Sequence, residues 1–365
     1  MSDLRLTMGD HLEPELITSL DEVTPAWLTR VLQRTGLLNE ARVAEVSYDS
    51  GETSFSIIAH LRISYTCDCS APTRLFLKFS KPNHPVSTPE YGWEVLFYRF
   101  VAPRTPTPLL HCYDAAFSNE RGRLHLLLED VSDTHHSEPP SQLPPARSHC
   151  ELIVQALADV HAAWWEQPPW DVIGGSVPDR AEVDRRIEEV SERIALFTNF
   201  LGDRLSAKRR DIYREVLAGL PVLYTRLMLP RAYTVIHDDI HIGNVLYPRD
   251  ATIDGVRIID WQTWHIDLAP KDLAHMMAIF WFPEQRKNLE RLLLRHYYDR
   301  LCEDGVGDYS WDELWNDYRL CVIRKLFHPA WQWATGHHPN IWWNHLERVM
   351  TAYEDLHCRE LIKGG

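Results

Sequence analysis

One stretch of the chain concentrates side chains suited to chemistry: His237-Asp238-Asp239-Ile240-His241-Ile242-Gly243-Asn244. The apolar run Tyr233-Thr234-Val235-Ile236 delivers it, and a second, Val256-Arg257-Ile258-Ile259, ends in Asp260-Trp261-Gln262. A carboxylate, an amide five residues on and a second carboxylate beyond a short strand are the parts of a phosphoryl-transfer site. One acid lies near the attacking hydroxyl, while the amide and the other acid hold magnesium on nucleotide phosphates. Such chemistry needs positioning, charge neutralisation and a base within hydrogen-bond reach rather than covalent help. Magnesium takes hard oxygen ligands and keeps several waters, so Asn244 and Asp260 suffice as its protein ligands. Val245-Leu246-Tyr247 and Val256–Ile259 read as strands joined through Asp254-Gly255, a hairpin that would bring Asn244 and Asp260 close together.

His237-x-Asp239-x-x-x-x-Asn244 followed by Ile259-Asp260-Trp261-Gln262 resembles the catalytic core of the aminoglycoside phosphotransferase and choline kinase superfamily. The Asp-Trp-Gln form, with Asp272-Leu273-Ala274 downstream, is most similar to its ecdysteroid-kinase-like branch. The resemblance implies an α+β, two-lobed, protein-kinase-like fold: a small antiparallel sheet with one main helix, then a larger, mainly helical lobe. It implies ATP and Mg2+, with Asp239 as the catalytic aspartate, Asn244 and Asp260 as metal ligands and His237 as a brace for the loop. Asp238 departs from the family, which usually has glycine there; its carboxylate is expected to face solvent, the alternative being that it raises the pKa of Asp239.

The elements that must position these groups follow in order. Residues 1–23 are polar and acidic and read as a loosely held arm, 24–131 as the nucleotide-binding lobe and 132–365 as the helical lobe with the acceptor pocket. Thr24-Pro25 opens a helix with Trp27, Leu28, Val31 and Leu32 as its buried stripe, and Gly36 ends it. Ile57, Ala59, Leu61, Ile63 and Tyr65 alternate along a strand. The turn before it, Ser50 to Ser54, would in a kinase of this kind lie over the phosphates, making Ser54 a nucleotide contact. Lys78 lies in the apolar strand Arg74–Ser80, where an unpaired lysine is costly to bury. The resemblance makes it the phosphate-gripping lysine. Glu94 is its expected partner from the next helix, with Glu90 as the fallback. Glu129 and Val131 end a strand at the expected hinge, where backbone groups would pair with adenine.

Ser148-His149-Cys150-Glu151 reads as a capping box before a helix through Trp165, residues 168–178 as a loop, and Arg180–Leu229 as charged helices. His161 is expected to be a satisfied interior histidine, and Asp272 to support packing of loop and helix. Leu320, Ile323, Phe327 and Trp331 share a helical face that reads as core; for the aromatic set that includes Phe280-Trp281-Phe282, Trp333 and Trp342-Trp343 the resemblance implies lining of the acceptor site as the alternative to core.

The chain has 365 residues, enough for one large two-lobed unit or two domains. A formal charge of −14 argues against non-specific nucleic-acid binding, which needs basic surface. No apolar stretch is long enough to span a bilayer, and the N-terminal residues do not read as a signal peptide. Seven irregularly spaced cysteines suggest a reduced, cytoplasmic setting. Only about a dozen residues separate Asp260 from Asp272, too few for a protein-kinase activation segment. The expectation is therefore an ATP- and Mg-dependent kinase of a small hydroxyl-bearing molecule: a natural product, amino alcohol, steroid-like alcohol or aminoglycoside-like antibiotic. A nucleotide-binding pseudokinase is the alternative, and a protein kinase ranks third.

Overall fold

The structure, a computed structural model, describes residues 15–53, 56–81, 92–106, 109–118, 120–137, 146–173, 176–250, 253 and 255–363. Ser54, Glu90 and Asp254 lie outside the described residues. The first elements are α1 (Pro25–Arg34), β1 (Val43–Glu52), β2 (Ser56–Tyr65), β3 (Arg74–Ser80), α2 (Gly92–Leu96), β4 (Cys112–Ser118), β5 (Arg123–Glu129) and β6 (His135–Ser137). Then come α3 (Arg147–Ala163), α4 (Trp170–Ile173), α5 (Arg180–Leu201), α6 (Ala207–Leu223), β7 (Tyr233–Ile236), β8 (Val245–Pro248), β9 (Arg257–Ile258) and β10 (His265–Leu268). The chain ends in helices α7 (Pro270–Ala274), α8 (Pro283–Glu303), α9 (Trp311–Lys325), α10 (His328–Ala334), α11 (Pro339–Asp355) and α12 (Arg359–Lys363). Two compact units result: residues up to His136 with Leu246–Trp264, and Ser137–Val245 with His265 onward. The segment 246–264, expected with the larger lobe, thus belongs to the first unit.

The first unit is built on an antiparallel sheet of order β1-β2-β3-β5-β4. Alternation explains its buried face. Ala59, Leu61 and Ile63 from β2 meet Leu75, Leu77 and Phe79 from β3 in one apolar core, to which α1 adds Trp27, Leu28, Val31 and Leu32. Each leucine, isoleucine, valine or phenylalanine side chain among them contributes roughly 1.5–3 kcal/mol on full burial. Thr24 caps α1 by accepting the Trp27 N–H at 3.2 Å, and Gly36 takes the left-handed conformation just beyond it. Residues 15–23 are not a loose arm. Ile17 and Val23 are buried in this core, and the Ile17 N–H donates to His125 Nδ1 at 3.0 Å. Two apolar anchors outweigh the acidic character of the segment. A second small sheet, β6-β8-β9, places β8 beside β9.

The second unit is mainly helical around the antiparallel pair β7/β10, in which His265 faces Ile236 and Leu268 faces Tyr233. All four residues of β7 are buried. Ile153, Leu157 and Val160 bury the inner face of α3. That helix begins one residue before Ser148, at Arg147, with no side-chain cap. Glu151 accepts from Arg147 Nε at 2.8 Å instead of completing a capping box. Within 168–178, read as loop, Trp170–Ile173 forms a helical turn. Leu320, Ile323 and Phe327 are buried as their spacing implies, but Trp331 is 42% exposed. Among the described residues no helix is long and apolar enough to cross a membrane.

Candidate active site

In the first unit the ion cluster begins at β3. The strand sends Leu75, Leu77 and Phe79 into the core, so Lys78 emerges from the opposite face. Its Nζ donates to Glu94 Oε2 at 2.8 Å and to Asp260 Oδ1 at 2.6 Å. Burial by itself would lower the lysine pKa, but Glu94 and Asp260 together hold it above its ordinary value, so Lys78 stays charged. Glu94, on α2, is 3% exposed at its side chain.

Aromatic contacts tie the Asp260 segment to the helix that carries Glu94. The Trp261 ring stacks on Phe97 at 4.0 Å. The Trp264 Nε1–H donates to the Trp93 carbonyl at 2.6 Å, and the Trp261 Nε1–H to that of Ile258 at 3.0 Å. Asp260 itself is left-handed, with φ 66°. That turn swings its carboxylate toward Lys78 as the chain leaves β9 and enters the helical turn Trp261–Thr263. Aspartate tolerates this conformation better than most residues. Its side chain is 32% exposed, and no hydrogen bond to Oδ2 occurs among the described residues, which leaves a hard oxygen for a cation.

At the expected hinge, the Glu129 N–H donates to the His111 carbonyl at 2.8 Å. Its side chain accepts the His111 N–H at 3.0 Å. The Val131 carbonyl accepts the N–H groups of Thr134 and His135 in a turn.

In the second unit β7 delivers the loop His237–Asn244. Asp272, fully buried on α7, anchors it by accepting the N–H of His237 at 2.8 Å and of Asp238 at 2.7 Å. The other support of Asp272 is His161, whose Nε2 lies 3.2 Å away and whose Nδ1 meets the Tyr297 hydroxyl at 2.7 Å. His161 is thus a satisfied interior histidine. Burial would raise the Asp272 pKa, but the His161 hydrogen bond and the surrounding imidazoles and N–H groups bring it below its ordinary value.

His237 Nδ1 accepts the Asp239 N–H at 3.2 Å, bracing the loop from within. Asn244 Nδ2 donates to the Asp239 carbonyl at 2.9 Å. That bond fixes the amide, so Oδ1 is its only remaining ligand atom, a hard oxygen suited to magnesium. Asn244 is 7% exposed and Asp239 36% exposed at its side chain. The acid is therefore accessible on a rigid support.

Asp238 corrects the expectation of a solvated carboxylate. It receives Lys325 Nζ at 2.8 Å and Lys271 Nζ at 3.2 Å. Burial opposes its charge, yet Lys271 and Lys325 hold its pKa well below the usual carboxylate range. Its φ of 61° explains why glycine suits this position; here the two lysine contacts compensate for the backbone cost. Lys325 also donates to His275 Nδ1 at 2.7 Å. That leaves the proton of a neutral His275 on Nε2, 3.4 Å from Asp239 Oδ1. Burial, and then Lys325, push the His275 pKa well below its ordinary value.

Lys271, His275 and Lys325 escaped the sequence reading. His275 lies three residues beyond Asp272 on the same helical segment, a spacing that could have exposed it. Lys325 has no local signal, because only the tertiary fold brings the end of α9 to the loop. Lys78, Glu94 and Asp260 meet in one unit, and His237, Asp239 and Asn244 meet in the other.

The model of the phosphotransferase enzyme family matches residues 64–311. The chain belongs to this family; the match does not extend to the ecdysteroid-kinase-like branch. No curated protein sequence matches the chain. Among solved structures, a putative aminoglycoside phosphotransferase from Ralstonia eutropha JMP134 is similar at TM-score 0.56 and 13% identity, covering 90% of this chain and 97% of that one. Plasmodium vivax ethanolamine kinase is similar at TM-score 0.54 and 13% identity, over 90% and 87% of the two chains. An aminoglycoside phosphotransferase solved with GDP and kanamycin is similar at TM-score 0.52 and 11% identity, over 92% and 99%. At these identities the likeness is one of fold: α+β and protein-kinase-like, with an antiparallel N-terminal sheet and a mainly helical remainder.

Proposed function

We propose that the protein is an ATP- and Mg-dependent O-phosphotransferase that acts on a hydroxyl of a small organic molecule. The observation that carries this reading is the loop around Asp239. Its backbone is held by His237 Nδ1 and Asn244 Nδ2, and the two preceding N–H groups by Asp272, while its carboxylate stays accessible. A base that must meet a diffusing acceptor needs that combination.

In this reading the acceptor oxygen attacks the γ-phosphorus and the bond to the β–γ bridging oxygen breaks. ADP leaves, and the hydroxyl proton passes to Asp239. Lys78, kept charged by Glu94, binds phosphate oxygens. Asn244 Oδ1 and Asp260 would hold Mg2+, which offsets the phosphate charge when bound. The Val131 carbonyl is committed to its turn and the Glu129 N–H to the His111 carbonyl, so the Val131 N–H and the Glu129 carbonyl are the hinge groups offered to adenine.

Incubation with Mg·[γ-32P]ATP and a panel of small alcohols tests the reading. Label should appear on a small molecule, should require magnesium, and should be lost in Asp239→Asn. Label confined to polypeptide, or no binding of Mg·ATP at all, would refute it.

A further inference from the structure

His275 is a buried group to which the transfer chemistry described above gives no part. It lies three residues beyond Asp272 on the same helical segment, so both face the loop His237–Asn244. Asp272 holds the loop backbone, while His275 lies beside the reactive side chain, with Nε2 at 3.4 Å from Asp239 Oδ1. That approach falls outside hydrogen-bond geometry, and among the described residues His275 Nε2 has no other acceptor. The residue is 1% exposed, so solvent does not satisfy the donor either.

Buried donors are almost always paired, so an orphan beside a reactive carboxylate calls for an explanation. The backbone marks the same spot. At His275 the α-helical winding of α7 gives way to a π-helical stretch, His275–Phe280, a rare winding that occurs mostly at functional sites. Packing then fixes the ring. Phe280 lies 5.3 Å and His328 5.2 Å from it between centroids, the latter edge-on at 84°. An imidazole hemmed in this way stays aimed at Asp239.

Which nitrogen carries the proton is set from behind the ring. Lys325 Nζ lies 2.7 Å from His275 Nδ1 and donates to Asp238 Oδ1 at 2.8 Å. An ammonium has three donors and no lone pair, so Nδ1 accepts and the proton of the neutral ring sits on Nε2. Burial works against the Lys325 charge, and Asp238 opposes that loss. Burial opposes the Asp238 charge too, yet Lys271 and Lys325 keep it ionised. Asp238 stands at φ 61°, a costly conformation for a residue with a side chain. What that cost secures is a carboxylate that fixes Lys325 behind His275.

We infer that His275 is a positioning residue for phosphoryl transfer: in the working enzyme its Nε2–H donates to Asp239 Oδ1 and so leaves Oδ2 to receive the hydroxyl proton. This inference deepens the kinase reading and rests on it. Oδ2 is the freer oxygen, with Asn244 Nδ2 at 3.5 Å. Hydrogen bonds of an active site are often long before the substrates arrive and tighten in the complex. A carboxylate with one oxygen tied holds the other in one direction, which is what a base acting on a bound hydroxyl needs. His275 takes no proton itself; Asp239 remains the base.

Two measurements test this. In 15N-histidine NMR of the protein with Mg·AMP-PNP bound, the His275 signals are those lost in His275→Gln. They should show a protonated Nε2 and a bare Nδ1, and the Nε2–H proton should move upfield in Asp239→Asn, where a weaker acceptor replaces the carboxylate. Turnover of Mg·ATP is followed with water as the acceptor, or with the alcohol that the panel returns. His275→Leu should lower kcat about 30-fold, the worth of one hydrogen bond to a carboxylate, with the KM for ATP unchanged. His275→Gln keeps an N–H at similar reach and should recover most of that loss. Asp238→Gly combined with Lys325→Met removes the ion pair as a unit, without stranding a charge. It should let the Nδ1–H tautomer appear in the spectrum and lower kcat as well.

An unchanged kcat in His275→Leu, or a loss that His275→Gln shares in full, would overturn the role of His275 and leave the kinase reading intact. So would a wild-type ring protonated on Nδ1, or an Nε2–H signal indifferent to Asp239→Asn. Should His275→Leu fail to fold, the NMR signature and the double variant decide by the same criteria. Failure of the wild-type protein to bind Mg·ATP would remove the kinase reading and this inference with it.

Discussion

The two halves of the candidate chemistry are held by different means. In the first unit one lysine sits between two acids, and the supports are near in sequence or in register. Strand β3 aims Lys78, and Trp261, one residue past Asp260, stacks on Phe97, three past Glu94. In the second unit the loop is held from behind by residues scattered over the chain: His161, Asp272, Lys271, His275, Lys325. A phosphate grip needs only a cation of fixed charge, whereas a base must keep an accessible carboxylate on a backbone that cannot yield. The second demand explains the larger buried network.

The sharpest way to break this comparison is to remove each functional charge in turn. Asp239→Asn should lower kcat about 10³-fold, the scale of a positioned general base. The thermal midpoint should barely move, because the side chain is 36% exposed and the loop is held through its backbone. Lys78→Met should behave oppositely in kind. It takes the cationic partner away from Glu94, 3% exposed, so stability should fall by about 3 kcal/mol in urea unfolding along with activity. Adding Glu94→Gln should return roughly half of that stability and none of the turnover. If Asp239→Asn destabilises more than Lys78→Met, the division of labour drawn here is wrong.

The same contrast governs what could be read from the sequence. The phosphate grip was legible because each member carries a local mark: a lysine in an apolar strand, a glutamate on the next helix, an Asp-Trp-Gln after a short strand. The spacing of Asp239 and Asn244 was equally visible. The support of the loop was not. Asp238 looked like a solvated acid because its partners, Lys271 and Lys325, lie 33 and 87 residues away, and no periodicity connects them. Ile17 and Val23 were hidden in an acidic segment whose burial depends on a sheet formed later in the chain. Trp331 fell on a core-like helical stripe yet is 42% exposed, because the stripe crosses from α9 into α10 and the helix axis changes between them.

Acid should separate the two units next. In the first unit, burial opposes the charge of Asp130, but hydrogen bonds from Ser132 and His60 bring its pKa to about 2. A depressed carboxylate contributes its full stabilisation above its unfolded value near 3.9 and loses it as pH falls toward the folded one. In the second unit, burial brings His345 to about 4. The unfolded chain takes up that proton first, near pH 6.5, so stability is lost from there downward. At pH 5 His345 alone accounts for about 2 kcal/mol. Hydrogen exchange at pH 5 should therefore show α11 losing protection while β3 and β5 keep theirs, and His345→Gln should flatten the slope. Equal loss in both units would contradict the assignment.

The smallest test concerns two helix starts. Thr24 and Ser148 look alike in sequence, each a hydroxyl residue ahead of an apolar stripe, but the fold uses only one as a cap. Thr24 Oγ1 accepts the Trp27 N–H. Ser148 lies inside α3, and the glutamate that would complete its box accepts from Arg147. Thr24→Ala should cost about 1 kcal/mol, the usual worth of a cap. Ser148→Ala should stay within about 0.5 kcal/mol, since alanine is the better helix former and no cap is lost. Both changes leave the apolar faces untouched, so the difference isolates the cap. An equal cost at both sites would mean that α3 begins at Ser148 after all, as its sequence suggests.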